Sequence, residues 1–429
     1  MVERYSNKRV SFRFSGADLL FDLSLALFSS YDIDAGTKLL LKTMAQRIDF
    51  SRCRTILDIG CGVGVIGLSI AKRYPHIRAY LQDRDAMAAA FTRANARLNG
   101  VENCSVTADI AFLRLPENRY DIIASNIPAK AGAPVLEHIA EHMTARLSGG
   151  NEGTAAAVVV DPLKKEFGAM ITDKGGEIIY SESTKEYTVY FFSRPSGHTE
   201  KTPAQNSTIS PKTTYAKATD APPSLEHPAQ YSLPRAYFRA SISPSLHGIS
   251  YTLDTVWGLK NFDTPGFLIQ LYAQWAVKAE AVETLLVWNP GQGHISSISL
   301  NLWKNRLRIL DLSGRDTLAL AASAHNLLFK TDTEVFPAAD LTETAAAAQV
   351  RQREKYERII IPLEHIPSVT REAAIWEAAV SLLAQRGELL IIGKSSDLHP
   401  FSKGEKNFTL KFSKKHKGNR IMLFHYGGR

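Results

Sequence analysis

A short pattern occurs twice in this chain. Thr55-Ile56-Leu57 precedes Gly62 and Gly64, and Thr284-Leu285-Leu286 precedes Gly291 and Gly293, an offset of 229 throughout. The matches keep their order on both sides. Upstream, Phe28 and Asp34 match Trp257 and Asp263 at that same offset of 229. Downstream, Arg84-Asp85, Asn95 and Asp109 match Arg315-Asp316, Asn326 and Asp340 at an offset of 231. Tyr120 and Tyr356 each stand before an apolar strand. Self-similarity at a fixed long spacing marks an internal duplication. The chain is then two lobes of one fold joined by residues 195–230, which hold six Pro and ten Ser/Thr and almost no large apolar residue. That composition reads as a flexible or extended linker. The expected domains are 1–194, the linker 195–230, and 231–429.

The periodicity of the first lobe alternates strand and helix. Strands are expected at Arg54–Ile59, Arg78–Gln82, Cys104–Ala108, Tyr120–Ser125 and Ala155–Val160, and helices at Val65–Arg73, Ala86–Leu98 and Val135–Leu147. Glu177–Ser181 and Tyr187–Phe192 should pair across a charged turn. Such alternation implies an α/β fold: a mostly parallel sheet with helices on both faces. The last pair forms an antiparallel edge.

Composition narrows the class. The chain is 45% hydrophobic and 22% charged, which excludes wholesale disorder. No apolar run approaches the ~18 residues of a membrane span. The N-terminus has no signal-peptide core. Cys53, Cys61 and Cys104 lack both a disulfide framework and zinc-type spacing, so reduced thiols in a cytoplasmic protein are expected, with no metal. The net charge of +8 is uneven: residues 403–429 carry eight Lys/Arg against one acidic residue. Clustered cations favour a phosphate-rich partner, since neutralising phosphates releases counterions.

The chemistry-bearing motif is Leu57-Asp58-Ile59-Gly60-Cys61-Gly62-Val63-Gly64, between a strand and a helix. Glycines allow a tight turn and close backbone approach, and the following helix N-terminus presents free N–H groups. Gly62, Gly64 and Gly67 also satisfy the dinucleotide fingerprint GxGxxG. Three features weigh against that reading. Asp58 places negative charge where a pyrophosphate binder has no need of it. About 50 residues precede the motif strand. Asn126-Ile127-Pro128 follows the fourth strand, where hydride transfer has no use for it.

With Phe28-Ser29-Ser30, Asp34-Ala35-Gly36-Thr37, Asp58–Gly64, Asp83, Asp109 and Asn126-Ile127-Pro128-Ala129 in order, residues 10–194 resemble the class I S-adenosylmethionine-dependent methyltransferases. More narrowly they resemble the methyltransferase small domain group, which includes two-lobed ribosomal RNA guanine-N2 methyltransferases. The resemblance implies two tandem Rossmann-like folds with mostly parallel seven-stranded sheets. It implies S-adenosyl-L-methionine as cofactor, with Gly60, Cys61, Gly62 and Gly64 facing its methionine part beside Asp58. Asp83 would take the ribose hydroxyls with Arg84 adjacent, Asp109 would take the adenine amino group, and Asp34 and Thr37 would border the pocket. Asn126, with Pro128, would be the catalytic element: its side-chain oxygen and the next carbonyl accept hydrogen bonds from a substrate amine and aim the nitrogen at the methyl carbon.

The chain departs from the family pattern at two places: Ile127 replaces a proline, and Ala129 replaces the aromatic that stacks on a flat base. A protein amine therefore stands as an alternative to RNA. The second lobe is expected to be degenerate. Val287 and Asn289 replace Asp58 and Gly60, and no Asn-x-Pro follows its fourth strand. Its basic end, with Lys411, Lys414, Lys415, Lys417 and Arg420, would dock RNA. The alternation Phe408, Leu410, Phe412 is expected to belong to the core rather than to a stacking platform. A non-catalytic RNA-binding scaffold made of two such folds is the remaining alternative.

Overall fold

The computed structural model describes residues 1–28, 31–116, 119–148, 153–195, 233–327 and 331–427. It contains two compact units, Val2–Ala221 and Pro222–Arg429. The expected linker lies, from residue 196 on, outside the described residues, as do Ser29 and Ser30 of the Asp34 motif.

In the first unit a hairpin of β1 (Lys8–Phe14) and β2 (Ala17–Leu23) precedes helix α1 (Ala35–Arg47). Then come β3 (Thr55–Ile59), α2 (Val65–Arg73), β4 (Arg78–Asp83), α3 (Ala86–Leu98), β5 (Cys104–Ala108) and β6 (Ile122–Asn126). The unit closes with α4 (Ala133–Ala145), β7 (Thr154–Val160), α5 (Lys164–Asp173), β8 (Glu177–Ser183) and β9 (Tyr187–Ser193). The main sheet has the order β5-β4-β3-β6-β7-β9-β8, all parallel except β9. Central β3 is buried at four of its five positions, because helices cover both faces of a parallel sheet. Strand order reverses at β3, with β4 on one side and β6 on the other. That reversal opens a crevice at the carboxyl ends of these strands, where open α/β sheets bind ligands.

The second unit repeats the plan. A short pair, β10 (Phe238–Ile242) and β11 (Leu253–Val256), precedes α6 (Phe267–Ala276). There follow β12 (Thr284–Trp288), α7 (His294–Trp303), β13 (Ile309–Gly314), α8 (Thr317–Leu327), β14 (Val335–Pro337) and α9 (Leu341–Val350). The lobe ends with β15 (Tyr356–Pro362), α10 (Glu372–Leu382), β16 (Leu383–Lys394), β17 (Phe408–His416) and β18 (Asn419–Tyr426). Its sheet has the matching order β14-β13-β12-β15-β16-β18-β17.

The duplication extends to single hydrogen bonds. Asn95 Oδ1 accepts from Asp22 N at 2.8 Å, and its Nδ2 donates to Asp22 O and Val63 O. Asn326 does the same with Asp254 N, Asp254 O and Gln292 O. Each asparagine therefore pins a lobe's entry strand to its glycine loop. Gly62 and Gly291 share φ of +57° and +59°, and Gly64 and Gly293 share +92° and +97°. This left-handed region is open to glycine at little cost and to other residues only under strain.

One core expectation fails. Phe408 and Phe424 are buried, but Leu410 and Phe412 are exposed. β17 is the edge of its sheet, and its register shifts between Leu410 and Phe412, so strict alternation does not carry the inner face along it.

Candidate active site

The glycine loop leaves β3 at Ile59. The N–H groups of Gly60 and Cys61 both donate to Gln82 O, and Thr92 Oγ1 donates to Gly62 O. A Cβ placed on Gly60 or Gly62 would meet nothing within 4 Å, so the loop borders open space. On the other side it is tight: a Cβ on Gly64 would come within 2.8 Å of Leu68, and one on Gly67 within 2.6 Å of Leu81. Glycine at 64 and 67 lets helix α2 pack close, while glycine at 60 and 62 keeps a cradle open.

Three carboxylates surround it. Asp58 is fully buried at the end of β3; its Oδ2 accepts from Gly67 N at 2.9 Å and its Oδ1 has no partner among the described residues. Loss of water pushes this carboxyl up to about 7. Asp83, half-buried, accepts from Gly62 N at 2.9 Å and Asp85 N at 2.8 Å, and burial raises it to about 6. Arg84 follows it, half-buried. Asp109 is buried; it accepts from Ile110 N and is ion-paired to Arg114 at 2.7 Å. Its own N–H donates to Asp83 O, which ties two acidic strand ends together. Burial raises Asp109 as well, against the pull of Arg114. The Cys61 thiol is buried, held well above its ordinary range by burial, and lies 3.7 Å from Thr92 Oγ1.

Asn126 ends β6 at the same rim. Its Nδ2 donates to Asp34 Oδ2 at 2.8 Å and to Thr37 Oγ1 at 3.1 Å. Asp34 in turn caps α1 by accepting from Thr37 N. These partners are about ninety residues away in sequence, and the fold brings them together. Next, Ile127 is buried and its N–H donates to Val158 O at 2.9 Å. A proline there could not make that bond. Pro128 and Ala129 are exposed.

Sequence reading missed Tyr187. This first residue of β9 pairs with Val160, the last of β7, which sets it at the same rim. A Cβ on Gly36 would lie 2.9 Å from two of its ring carbons. Burial first, then the charges of Asp34 and Glu186, raise its phenol. Only the antiparallel pairing of the last strand reveals this position; no local motif marks it. Gln82 was missed too. It spans β4 and the loop after Asp109, accepting from Phe112 N and donating to Leu113 O.

The second lobe lacks this arrangement. Asn289 stands where Gly60 does and covers the next strand: a Cβ on Gly314, the counterpart of Asp83, would come 2.6 Å from its Oδ1. Asp340 caps α9 instead of facing a hollow, accepting from Thr342 N and Glu343 N. Asp263 pairs with Arg239, and Pro362 occupies the position of Asn126.

The basic residues gather on one hairpin. Lys411, Lys414 and Lys415 lie on edge strand β17, Lys417 in the turn and Arg420 on β18. Lys414 donates to Gln274 Oε1 and Arg420 to Ser413 and Ser402, while Lys417 sits 4.6 Å over the ring of the exposed Phe267. The three cysteines are free and buried. Among the described residues no helix is long and apolar enough to cross a membrane, and no cluster of three metal-ligating side chains occurs.

Comparison with known proteins places the first lobe. Residues 19–190 match the methyltransferase small domain family. "Ribosomal RNA small subunit methyltransferase C" of Actinobacillus pleuropneumoniae is 34% identical over 152 residues, 34% of this chain and 45% of that protein. "Ribosomal RNA large subunit methyltransferase G" of Shewanella amazonensis is 32% identical over 120 residues, 27% of this chain and 30% of that one. The matched segments thus span less than half the length of these relatives. The T. thermophilus 16S rRNA N2 G1207 methyltransferase, solved with AdoMet and guanosine, superposes with a TM-score of 0.62 over 99% of this chain and 100% of its own, at 14% identity. At that identity the likeness is one of fold, and it covers both lobes. The part of the chain that is similar to the methyltransferase small domain family thus runs from Leu19 to Tyr190.

Proposed function

We propose that this protein is a cytoplasmic S-adenosylmethionine-dependent N-methyltransferase acting on ribosomal RNA. In this reading residues 1–194 are the catalytic domain, 195–230 the linker, and 231–429 a degenerate copy that helps hold RNA. The observation that carries the reading is the orientation of Asn126. Its Nδ2 is committed to Asp34 and Thr37, which leaves its Oδ1 to serve as the acceptor. An amine substrate needs that polarity: its N–H groups donate to Asn126 Oδ1 and to the Ile127 carbonyl, and the nitrogen lone pair is left directed at its target.

The residues present fit the cofactor. The Gly60 and Gly62 backbone borders open space and can be approached closely. Asp83, an acceptor when ionised, suits a ribose diol, and Asp109 suits an exocyclic amine. Cys61, Gly64 and Arg84 complete the wall, and Asp34 and Thr37 border it. Bound S-adenosylmethionine supplies a methyl group already activated by its sulfonium, so this chain's work is positioning and dipoles rather than nucleophilic attack. Pro128 stiffens the segment after Asn126.

Methyl transfer from radiolabelled S-adenosylmethionine to total RNA and, separately, to total protein tests the reading. Label in RNA supports it. Label in protein alone replaces it with the amine reading, which the exposed Ala129 in place of an aromatic ring favours. Absence of saturable S-adenosylhomocysteine binding by calorimetry would leave only a scaffold. For the docking role, charge reversal of Lys411 and Lys415 lowers RNA affinity and its salt slope; unchanged affinity at low salt removes that role.

A further inference from the structure

Resting on the ribosomal RNA reading, we infer that β17, the turn after it and the outer stripe of α6 form a platform for unpaired RNA, on which Phe267 and Phe412 take base faces and Lys414 and Lys417 take phosphates. The register of β17 builds this surface. Leu410 lies opposite Phe424, and the shift after it skips Lys411 and sets Phe412 opposite Leu423. One extra residue moves the rest of a strand to its other face. Phe412, Lys414 and His416 therefore share the face that meets α6. Lys414 Nζ donates to Gln274 Oε1 at 2.9 Å, and the His416 ring lies edge-on to Phe267 at 6.4 Å. Every residue of β17 after Phe408 is exposed.

Charge selects the partner. Phe408–Tyr426 carry five Lys/Arg and no acidic residue, and α6 carries no charge at all. A polyanion gains from such cations as its counterions leave. The rings add what a phosphate contact lacks. Phe267 is 46% exposed and Phe412 37%. More than half of each residue is held against protein, so each offers a fixed face rather than a wedge for a lipid layer. Residues 412 and 416 stand roughly 13 Å apart along the strand, so the platform spans more than one nucleotide. Lys417 Nζ sits 4.6 Å over the Phe267 ring. An exposed cation–π contact is weaker than a stacked base, so a base displaces the ammonium, which then meets the neighbouring phosphate. In a duplex the base faces are covered by their neighbours, and only an unpaired strand can use the rings.

The first lobe shows the same place in closed form. Its edge strand β8 has the same shift, between Ile178 and Tyr180, and Tyr180 pairs with Phe191 as Phe412 pairs with Leu423. By that register Glu182 stands where Lys414 does. Tyr180 is covered: the Arg47 guanidinium lies 3.8 Å over its ring, and its hydroxyl donates to Glu182. At the offset of 229 Ala276 stands for Arg47, and Ala276 is buried. Residues 177–193 hold three Glu and one Lys. The sheet plan alone therefore makes neither an open ring nor a basic edge. In the second lobe an alanine in place of the arginine uncovers the ring, and a lysine in place of the glutamate reverses the charge beside it.

The test measures binding of the full chain to an unstructured RNA oligonucleotide, to the same strand annealed to its complement, and to vesicles of anionic phospholipid, across a salt series. Wild type should bind the unpaired strand roughly tenfold more tightly than the duplex. Phe412→Leu and Phe267→Leu keep apolar bulk without the ring. Each should weaken the unpaired strand by roughly tenfold and leave the duplex unchanged. Neither should alter the salt slope, because no phosphate contact is lost. Phe412→Tyr should bind as wild type does, and Lys414→Gln should lower the slope by about one. Matching thermal midpoints establish that the variants fold. Equal affinity for paired and unpaired RNA, or leucine variants that bind as wild type does, overturns the inference. So does tighter binding to the vesicles than to RNA, which makes the surface a membrane contact. Methyl label entering RNA in any of these cases keeps the methyltransferase reading. A wild-type chain that labels only protein and binds no RNA removes both.

Discussion

The two lobes carry one sheet order and one pattern of glycine angles, and Gly62 and Gly291 both border open space, yet only the first adds a glycine at position 60 and an acidic strand end beside it. What differs is a handful of side chains at the carboxyl ends of the strands. Asp58, Gly60, Asp83 and Asn126 face Val287, Asn289, Gly314 and Pro362. Positions that hold the fold together, such as Asn95 and Asn326, behave alike in both. The comparison separates two demands on one loop. The turn itself needs glycine at 62 and 64, and both lobes keep it. Room for a ligand needs glycine at 60 and a carboxylate at 83, and the second lobe keeps neither.

The largest effect expected from this contrast is at Asn126. Asn126→Ala should lower methyl transfer by roughly 10²–10³, the scale seen when a preorganised polar contact to the reacting group is removed. S-adenosylhomocysteine affinity should change little. Pro362→Asn should restore nothing, because Asp263 already belongs to Arg239 and Gly266 stands where Thr37 does. Activity that survives Asn126→Ala, or rises with Pro362→Asn, breaks the assignment of catalysis to the first lobe.

Next in size is the cradle. Asp83→Asn should weaken S-adenosylhomocysteine by roughly 10- to 100-fold, since charged acceptors contribute about 1.5–3 kcal/mol per bond. Gly314→Ala in the second lobe meets backbone N and Cα of Asn289 at 3.0 and 3.1 Å. It should lower stability by about 1–3 kcal/mol, as overpacking does, without touching ligand affinity. Thermal unfolding and calorimetry on the two variants distinguish these outcomes. Loss of ligand affinity in Gly314→Ala would mean that the second lobe binds it too.

A pH series sharpens the same point. Asp83 titrates near about 6 because burial disfavours its charge. Ligand affinity should therefore fall as pH drops through about 6, where the acceptor becomes an acid. Stability of the free protein runs the other way for this group. A carboxyl raised by folding contributes fully below its unfolded value near ~3.9 and loses that contribution as pH rises through about 6. Asp83→Asn should flatten the affinity profile; a profile that keeps its step assigns the titration to another group.

Much of this was legible in the sequence. Helices at 65–73 and 86–98 fall where apolar period and caps place them, because α2 starts at a left-handed glycine and α3 at Asp85, which accepts from Met87 N. The acidic strand ends were legible because each closes an apolar run. The β1–β2 hairpin, α1 and α5 were not read, since their apolar residues are split by charges such as Arg9, Arg13 and Lys42 that stay on the outer face. Tyr187 and the Asp34–Asn126 bond were invisible because they are products of tertiary register. Leu410 and Phe412 misled because alternation names two faces but does not say whether a neighbouring element covers either one.

The smallest expected effect tests how far the lobes have diverged at a residue they share. Asp109 and Asp340 match in sequence, but the second serves the backbone of its own helix. Asp340→Ala removes an N-cap and should cost about 1 kcal/mol of stability in that lobe, with ligand affinity unchanged. Asp109→Ala should do the reverse in kind: it removes the Arg114 ion pair and an acceptor from the cradle, so affinity falls more than stability. Measuring unfolding and S-adenosylhomocysteine binding on both variants gives two ratios. If the ratios coincide, the carboxylates do one job and the lobes are less divergent than their loops imply. If they separate, an acid kept through duplication has passed from holding a ligand to holding a helix, and its conservation within the chain carries no sign of a second site.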